Sequence, residues 1–149
     1  MADNTGSAAK TPWHLWLVGV LALLWNAMGA MDFTLTQMHS EAWLKALTAE
    51  QRAVIDNFPL WSVIAWGTGT WGALLGSLLL LLRRGFASNL FAVSLLGMVL
   101  TNIYSYCLSD WVKVMNPGAG AYIFSAVIFV IGVMLFAYAR AMRQRGVLR

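Results

Sequence analysis

The chain has 149 residues, of which 60% are hydrophobic and 11% charged, and its mean hydropathy is +0.68. A soluble domain carries about 25% charged residues, so the composition excludes one and points to an integral membrane protein with no separate soluble domain. The net charge of +4 is no nucleic-acid signal, because the basic residues sit at segment ends, where topology and anionic lipid account for them; the single cysteine, Cys107, excludes an internal disulfide and a cysteine metal cluster.

Residues 1–12 are small and polar. They lack the basic start and cleavage site of a signal peptide, and a disordered cytoplasmic tail ahead of an uncleaved first helix is expected. The first span runs from about Trp13 to Met38. Thr11-Pro12 is its start signal, and Trp13 and Trp16 are rings suited to an interface. At 1.5 Å per residue it covers roughly 39 Å, enough for the hydrocarbon core and an interfacial turn. Ala22, Asn26, Gly29, Asp32 and Thr36 fall in one arc of its wheel, with Leu24, Met28, Met31 and Leu35 opposite.

Asp32 is the one acidic residue in the spanning segments. An ionisable group there costs roughly 2.5–3.5 kcal/mol by insertion scales, which makes it a functional candidate. It suits cation binding, proton exchange or a hydroxylated ligand. The structural alternative is a carboxyl group satisfied by Asn102, Tyr122 or water. For Asn26 and Asn102 the alternative is interhelical hydrogen bonding.

His39 to Phe58 is the only substantial polar loop. Ser40 caps Glu41–Leu44, and Thr48-Ala-Glu-Gln51 is a capping-box pattern. Trp43, Leu44 and Leu47 are expected on the membrane surface. The second span, about Pro59 to Arg84, gathers Ser62, Ala65, Gly69, Gly72, Ala73 and Gly76 on one face. Gly69, Gly72 and Gly76 are read as helix-packing positions, within the chain or across a dimer. The third span, about Phe86 to Ser109, places Ser94, Thr101, Asn102, Ser105 and Ser109 on one arc and Val93, Leu96, Leu100, Tyr104, Cys107 and Trp111 opposite. Asn116-Pro117-Gly118 signals a turn. The fourth span, about Gly120 to Met142, carries Tyr122, Ser125, Phe129, Gly132 and Phe136 on one face. Residues 144–149 read as a basic cytoplasmic tail beyond a single domain, 13–143. Of the tryptophans, Trp43 is expected to mark an interface, and Trp25 and Trp66 lie deeper as packing bulk.

Orientation follows from the Lys and Arg count. Lys10, Arg83, Arg84, Arg140, Arg143, Arg145 and Arg149 share one side, and Lys45, Arg52 and Lys113 the other. The positive-inside rule puts both termini in the cytoplasm. Asp32, Thr36, Asn102, Ser105, Tyr122 and Ser125 then fall in the outer half, with Asn26 deeper. The expected architecture is an all-α four-transmembrane-helix bundle with a short extracytoplasmic amphipathic helical loop. Its polar cleft is expected to open outward and close below.

His14 and His39 lie at opposite ends of the first span and cannot ligate one haem or metal. No Ser/His/Asp set, metal-ligand spacing or phosphate loop is present, so neither catalysis nor a cofactor or metal is expected. Trp13-His14-Leu15-Trp16, Trp25-Asn26-x-x-Gly29-x-x-Asp32-Phe33 with Thr36-Gln37, the Thr-x-Glu-Gln loop before Phe58-Pro59 and the closing Arg-Gly-Val-Leu-Arg together span nearly the whole chain. In these the chain resembles a group of uncharacterised bacterial four-span inner-membrane proteins, some labelled sugar transporter. That resemblance implies a solute role. The small multidrug transporters also combine four spans with an acidic residue in the first, but the seven-to-three charge bias argues against their dual topology. Two functions are therefore expected: binding or passing a small solute at Asp32, as a homo-oligomer if it transports, or serving as an accessory subunit of a larger membrane complex.

Overall fold

The computed structural model describes residues 10–115 and 118–149. Among the described residues seven α-helices follow one another: α1 (Trp13–Gln37), α2 (Glu41–Leu44), α3 (Ala49–Asp56), α4 (Leu60–Leu81), α5 (Ala87–Ile103), α6 (Trp111–Met115) and α7 (Ala119–Gln144). A π-helical turn, Tyr104–Leu108, extends α5. Trp13–Gln37, Leu60–Leu81, Ala87–Leu108 and Ala119–Gln144 are each long and apolar enough to cross a membrane. The chain is an all-α, multi-pass membrane protein, and no strand occurs among the described residues. Residues 1–9 of the expected tail, and Asn116 and Pro117 of the expected turn, lie outside the described residues.

Local chemistry sets the helix ends. Pro12 and Pro59 precede α1 and α4 in extended conformation, where the missing N–H is no loss. The other ends of α1, α4 and α7 share a Schellman closure, in which the chain turns through a left-handed residue and pairs back onto the last turn. After α7 that residue is Gly146, at φ 70°, with Val147 N–H donating to the Met142 carbonyl at 3.0 Å. After α1 and α4 it is His39, at φ 51°, and Arg83, at φ 55°. A side chain there costs roughly 1–2 kcal/mol. Each is held: His39 Nε2 lies 3.1 Å from Asp56 Oδ1, and Arg83 Nη1 donates to Thr11 Oγ1 at 2.9 Å.

α1 packs on α4, α4 on α5, and α5 on α7. The α4–α5 contact is backbone against backbone. Gly69, Gly72 and Gly76 all face α5, Gly72 opposite Ser94 and Gly76 opposite the Phe91 ring. From the other side Gly97 meets Ala65 and Gly69, and Ser94 Oγ donates to the Gly69 carbonyl at 2.5 Å. Small residues allow this approach, and dispersion and hydrogen bonding then hold it. In α7 the buried positions are Ala121, Leu135, Ala139 and Met142, with Gly132 against Leu95 and Met98. Tyr122 and Phe129 of the expected face are exposed instead. The seam follows the small and aliphatic side chains rather than the aromatic ones.

The apolar core gathers at the end that carries the arginines. Leu15, Leu80, Ala87, Phe91, Leu135, Ala139 and Met142 pack there together with Val147 and Leu148. The closing residues are thus no free tail. Gly146 turns them back, Gly85 N–H donates to the Arg149 carbonyl at 2.7 Å, and Arg149 N–H donates to the Arg83 carbonyl at 2.9 Å. Leu148→Ala is expected to lower stability by about 2–4 kcal/mol, the cost of a cavity in a packed core. Thermal unfolding in detergent checks it, and an unchanged midpoint would mean that this segment lies free.

At the opposite end, the two loops clasp each other. α3 opens with the expected capping box between Thr48 and Gln51. Gln51 Nε2 reaches the Val114 carbonyl of α6 at 3.4 Å, and Arg52 Nη2 donates to the Leu44 carbonyl at 2.8 Å. Phe58 is central to an aromatic cluster, with its ring centroid 4.9 Å from Tyr104 and 5.4 Å from Trp111. Tyr104 and Trp111, both half-buried, thus pack against the loop. The π turn inserts one residue into the ladder and rotates the residues beyond it. Outside the spans, Asp110 accepts from Lys113 Nζ at 2.6 Å and raises the ammonium's pKa above its ordinary value.

Candidate functional site

The left-handed turn at His39 folds α2 back over the end of α1. Leu44 becomes buried, and the Trp43 indole Nε1–H donates to Asp32 Oδ1 at 3.1 Å. Leu44, expected on the membrane surface, is thus turned inward, while the Trp43 ring stays exposed. The partner of Asp32 is an indole from the loop, not Asn102 or Tyr122. No ion pair among the described residues includes Asp32; the three that form are His39–Asp56, Arg52–Glu41 and Lys113–Asp110.

Beneath Trp43 lies a cavity of about 530 Å³. α1 contributes Trp25, Asn26, Met28, Gly29, Met31 and Asp32, and α4 contributes Trp66, Gly69, Thr70 and Ala73. The α5 wall runs from Phe91 through Ser94, Leu95, Met98 and Thr101 to Asn102, and the α7 wall from Phe124 to Leu135. α1 and α7 touch at their arginine ends, where His14 Nδ1 lies 2.6 Å from Tyr138 Oη. The packed core closes the cavity at that end.

Three of the seven expected ligand-binding residues, Asp32, Asn26 and Asn102, line this cavity. Asn26 also ties α1 to α4, its Nδ2 donating to Ser77 Oγ at 2.9 Å, while Ser77 Oγ donates to the Ala73 carbonyl at 2.8 Å. The other four residues lie elsewhere. Thr36 and Ser105 are buried at the loop end. Ser125 is hydrogen-bonded to the Tyr106 hydroxyl, and Tyr122 is exposed and stacked on the Tyr106 ring. For Ser105 the reason is rotational: the π turn carries Ser105 and Tyr106 away from the arc that holds Thr101 and Asn102. The cavity also departs from a purely polar outer cleft. It continues along an apolar shaft as deep as Phe91 and Leu135.

In the sequence Gly29 stands out only as a small residue on the polar arc. An added Cβ there would meet nothing nearer than Thr70 Cγ2, at 3.9 Å. At Gly19, Gly67, Gly69, Gly72, Gly76, Gly97 and Gly132 an added Cβ would lie 3.4 Å or less from a neighbour, whereas at Gly29 it would make only ordinary contact. Trp43, Trp66 and Trp25 carry no sequence signal beyond an interface ring or packing bulk, yet all three line the cavity. Among the described residues no His, Cys, Asp and Glu side chains group as metal ligands. Comparison with family models, curated proteins and solved structures gives no match for this chain.

Proposed function

We propose that this chain is a non-enzymatic bacterial inner-membrane protein that binds or passes a small solute through the cavity centred on Asp32. The carrying observation is a carboxylate without an ion-pair partner among the described residues, on the wall of a cavity of about 530 Å³ between membrane-spanning helices. An ionisable group within a spanning segment is costly and is found where a pathway, cavity or ligand uses it. Gly29 adds support. A glycine in a helix interior costs about 0.5–1 kcal/mol relative to alanine, and no packing need accounts for this one. Seven basic residues at the arginine end against three at the loop end favour cytoplasmic termini and a cavity mouth on the outer side. Four spans are few for alternating access around one site, so passage across the bilayer calls for a homo-oligomer.

A second reading is an accessory subunit of a larger membrane complex. It is favoured by the α7 face of Ile123, Phe124, Val127, Val130 and Met134, all exposed and apolar, which can meet lipid or a partner helix. Asp32 would then serve only to fasten Trp43.

Gly29→Leu separates the two. The added side chain enters the cavity, so the detergent melting temperature should hold or rise slightly. Native mass spectrometry should show loss of co-purified small molecules, and a deletion strain should no longer be complemented. Full complementation by Gly29→Leu, with a large hetero-complex retained in mild detergent, would replace the solute reading with the accessory one.

A further inference from the structure

We propose that the occupant of the cavity is a single-chain cationic amphiphile, its ammonium group against Asp32 and its tail along the shaft toward Leu135. This rests on the proposal that the cavity binds a ligand and adds the chemical class. The charge comes first. Asp32 is the only carboxylate in the spans, and among the described residues no cationic side chain neutralises it. The Trp43 indole engages Oδ1, which holds the carboxylate in place without cancelling its charge. Trp25, Trp43 and Trp66 line the same cavity. A cation over an indole face is attracted by the ring quadrupole, whereas an anion is repelled by both the rings and the carboxylate.

The shape decides between a compact cation and an amphiphile. The α5 wall runs from Phe91 to Asn102 and the α7 wall from Phe124 to Leu135, each about 16 Å at 1.5 Å per residue. A hydrated metal ion or a bare sugar would fill the Asp32 end and leave this shaft without a partner, whereas an alkyl chain buries there. Met28, Met31 and Met98 add unbranched thioethers that adapt to a flexible tail. Access is built in as well. α1 packs on α4 and α7 on α5, with no comparable contact between α1 and α7. A chain dissolved in the bilayer can slide in sideways between those two helices, its head held at the level of Asp32.

The test uses the full chain in phosphatidylcholine nanodiscs, titrated with dodecyltrimethylammonium, dodecyl maltoside and laurate. Heat and tryptophan emission are read after subtracting partitioning into empty nanodiscs. The cation should saturate one site with an affinity at least on the order of tenfold above the neutral and anionic probes. Asp32→Asn should lose that margin with its melting temperature kept, and Asp32→Glu, which restores the charge, should recover selectivity. Equal affinity for the three probes, absence of a saturable cation site, or an undiminished margin in Asp32→Asn would each overturn the cationic class. The ligand-cavity reading would survive those results, because it stands or falls on Gly29→Leu.

Discussion

Gly97→Ala should destabilise the bundle by on the order of 3 kcal/mol or more, although alanine is the better helix former by about 1 kcal/mol. A Cβ at this position would lie 2.6 Å from the Ala65 carbonyl oxygen and 2.8 Å from the Gly69 nitrogen. At Gly19, Gly67 and Gly132 the nearest atoms are ends of the Leu81, Phe33 and Leu95 side chains, which can rotate away. At Gly97 they belong to backbone, so α4 and α5 must part. Parting them also breaks the Ser94-to-Gly69 hydrogen bond and withdraws Phe91 from Gly76. The measurement is the melting temperature in mild detergent, with Gly29→Ala as the control. Gly29→Ala meets only Thr70 and should be neutral or slightly stabilising. Equal melting temperatures for the two variants would mean that α4 and α5 do not cross at Gly97.

Half of that contact is legible in the sequence. Ala65, Gly69, Gly72 and Gly76 recur at three- and four-residue steps, the spacing that brings side chains onto one helical face. Gly97 gives no such signal when its helix is sorted by polarity, because glycine scores as neither polar nor apolar. The usable signal is its cost: a glycine in the middle of an apolar span serves no turn, so it asks for a close neighbour. The fourth span misleads for a related reason. Tyr122, Phe129 and Phe136 draw attention by size, whereas in a membrane the bulky side chains can face lipid and the small ones make the contact. Positions beyond the π turn are out of reach for a wheel of constant pitch, because one inserted residue changes the phase. The bond from Trp43 to Asp32 depends on His39 taking a left-handed conformation, which a glycine would advertise and histidine conceals.

Asp32→Leu should cost little stability and all of the solute function. Were the carboxylate structural, its worth would lie in the bond from Trp43, and that bond is solvent-exposed. Such a bond contributes about 0.5–1.5 kcal/mol, and water can take the indole N–H when the carboxylate goes. Against this loss stands the removal of an ionisable group from a spanning helix, which is worth up to roughly 2.5–3.5 kcal/mol at a helix centre on insertion scales and less toward the end where Asp32 lies. Leucine should therefore leave the melting temperature unchanged or raise it. Helix α2 is also held by Arg52, through the Leu44 carbonyl and Glu41, so the loop should keep its place. Function should behave oppositely. With the carboxylate gone the cavity keeps its volume, its apolar shaft and its neutral polar side chains but loses its one acidic group, and co-purified solute and complementation should disappear together. The two readouts must be taken on the same preparation. A melting temperature lowered by the equivalent of several kcal/mol would make Asp32 a structural residue, and full complementation at wild-type stability would leave the carboxylate without a function.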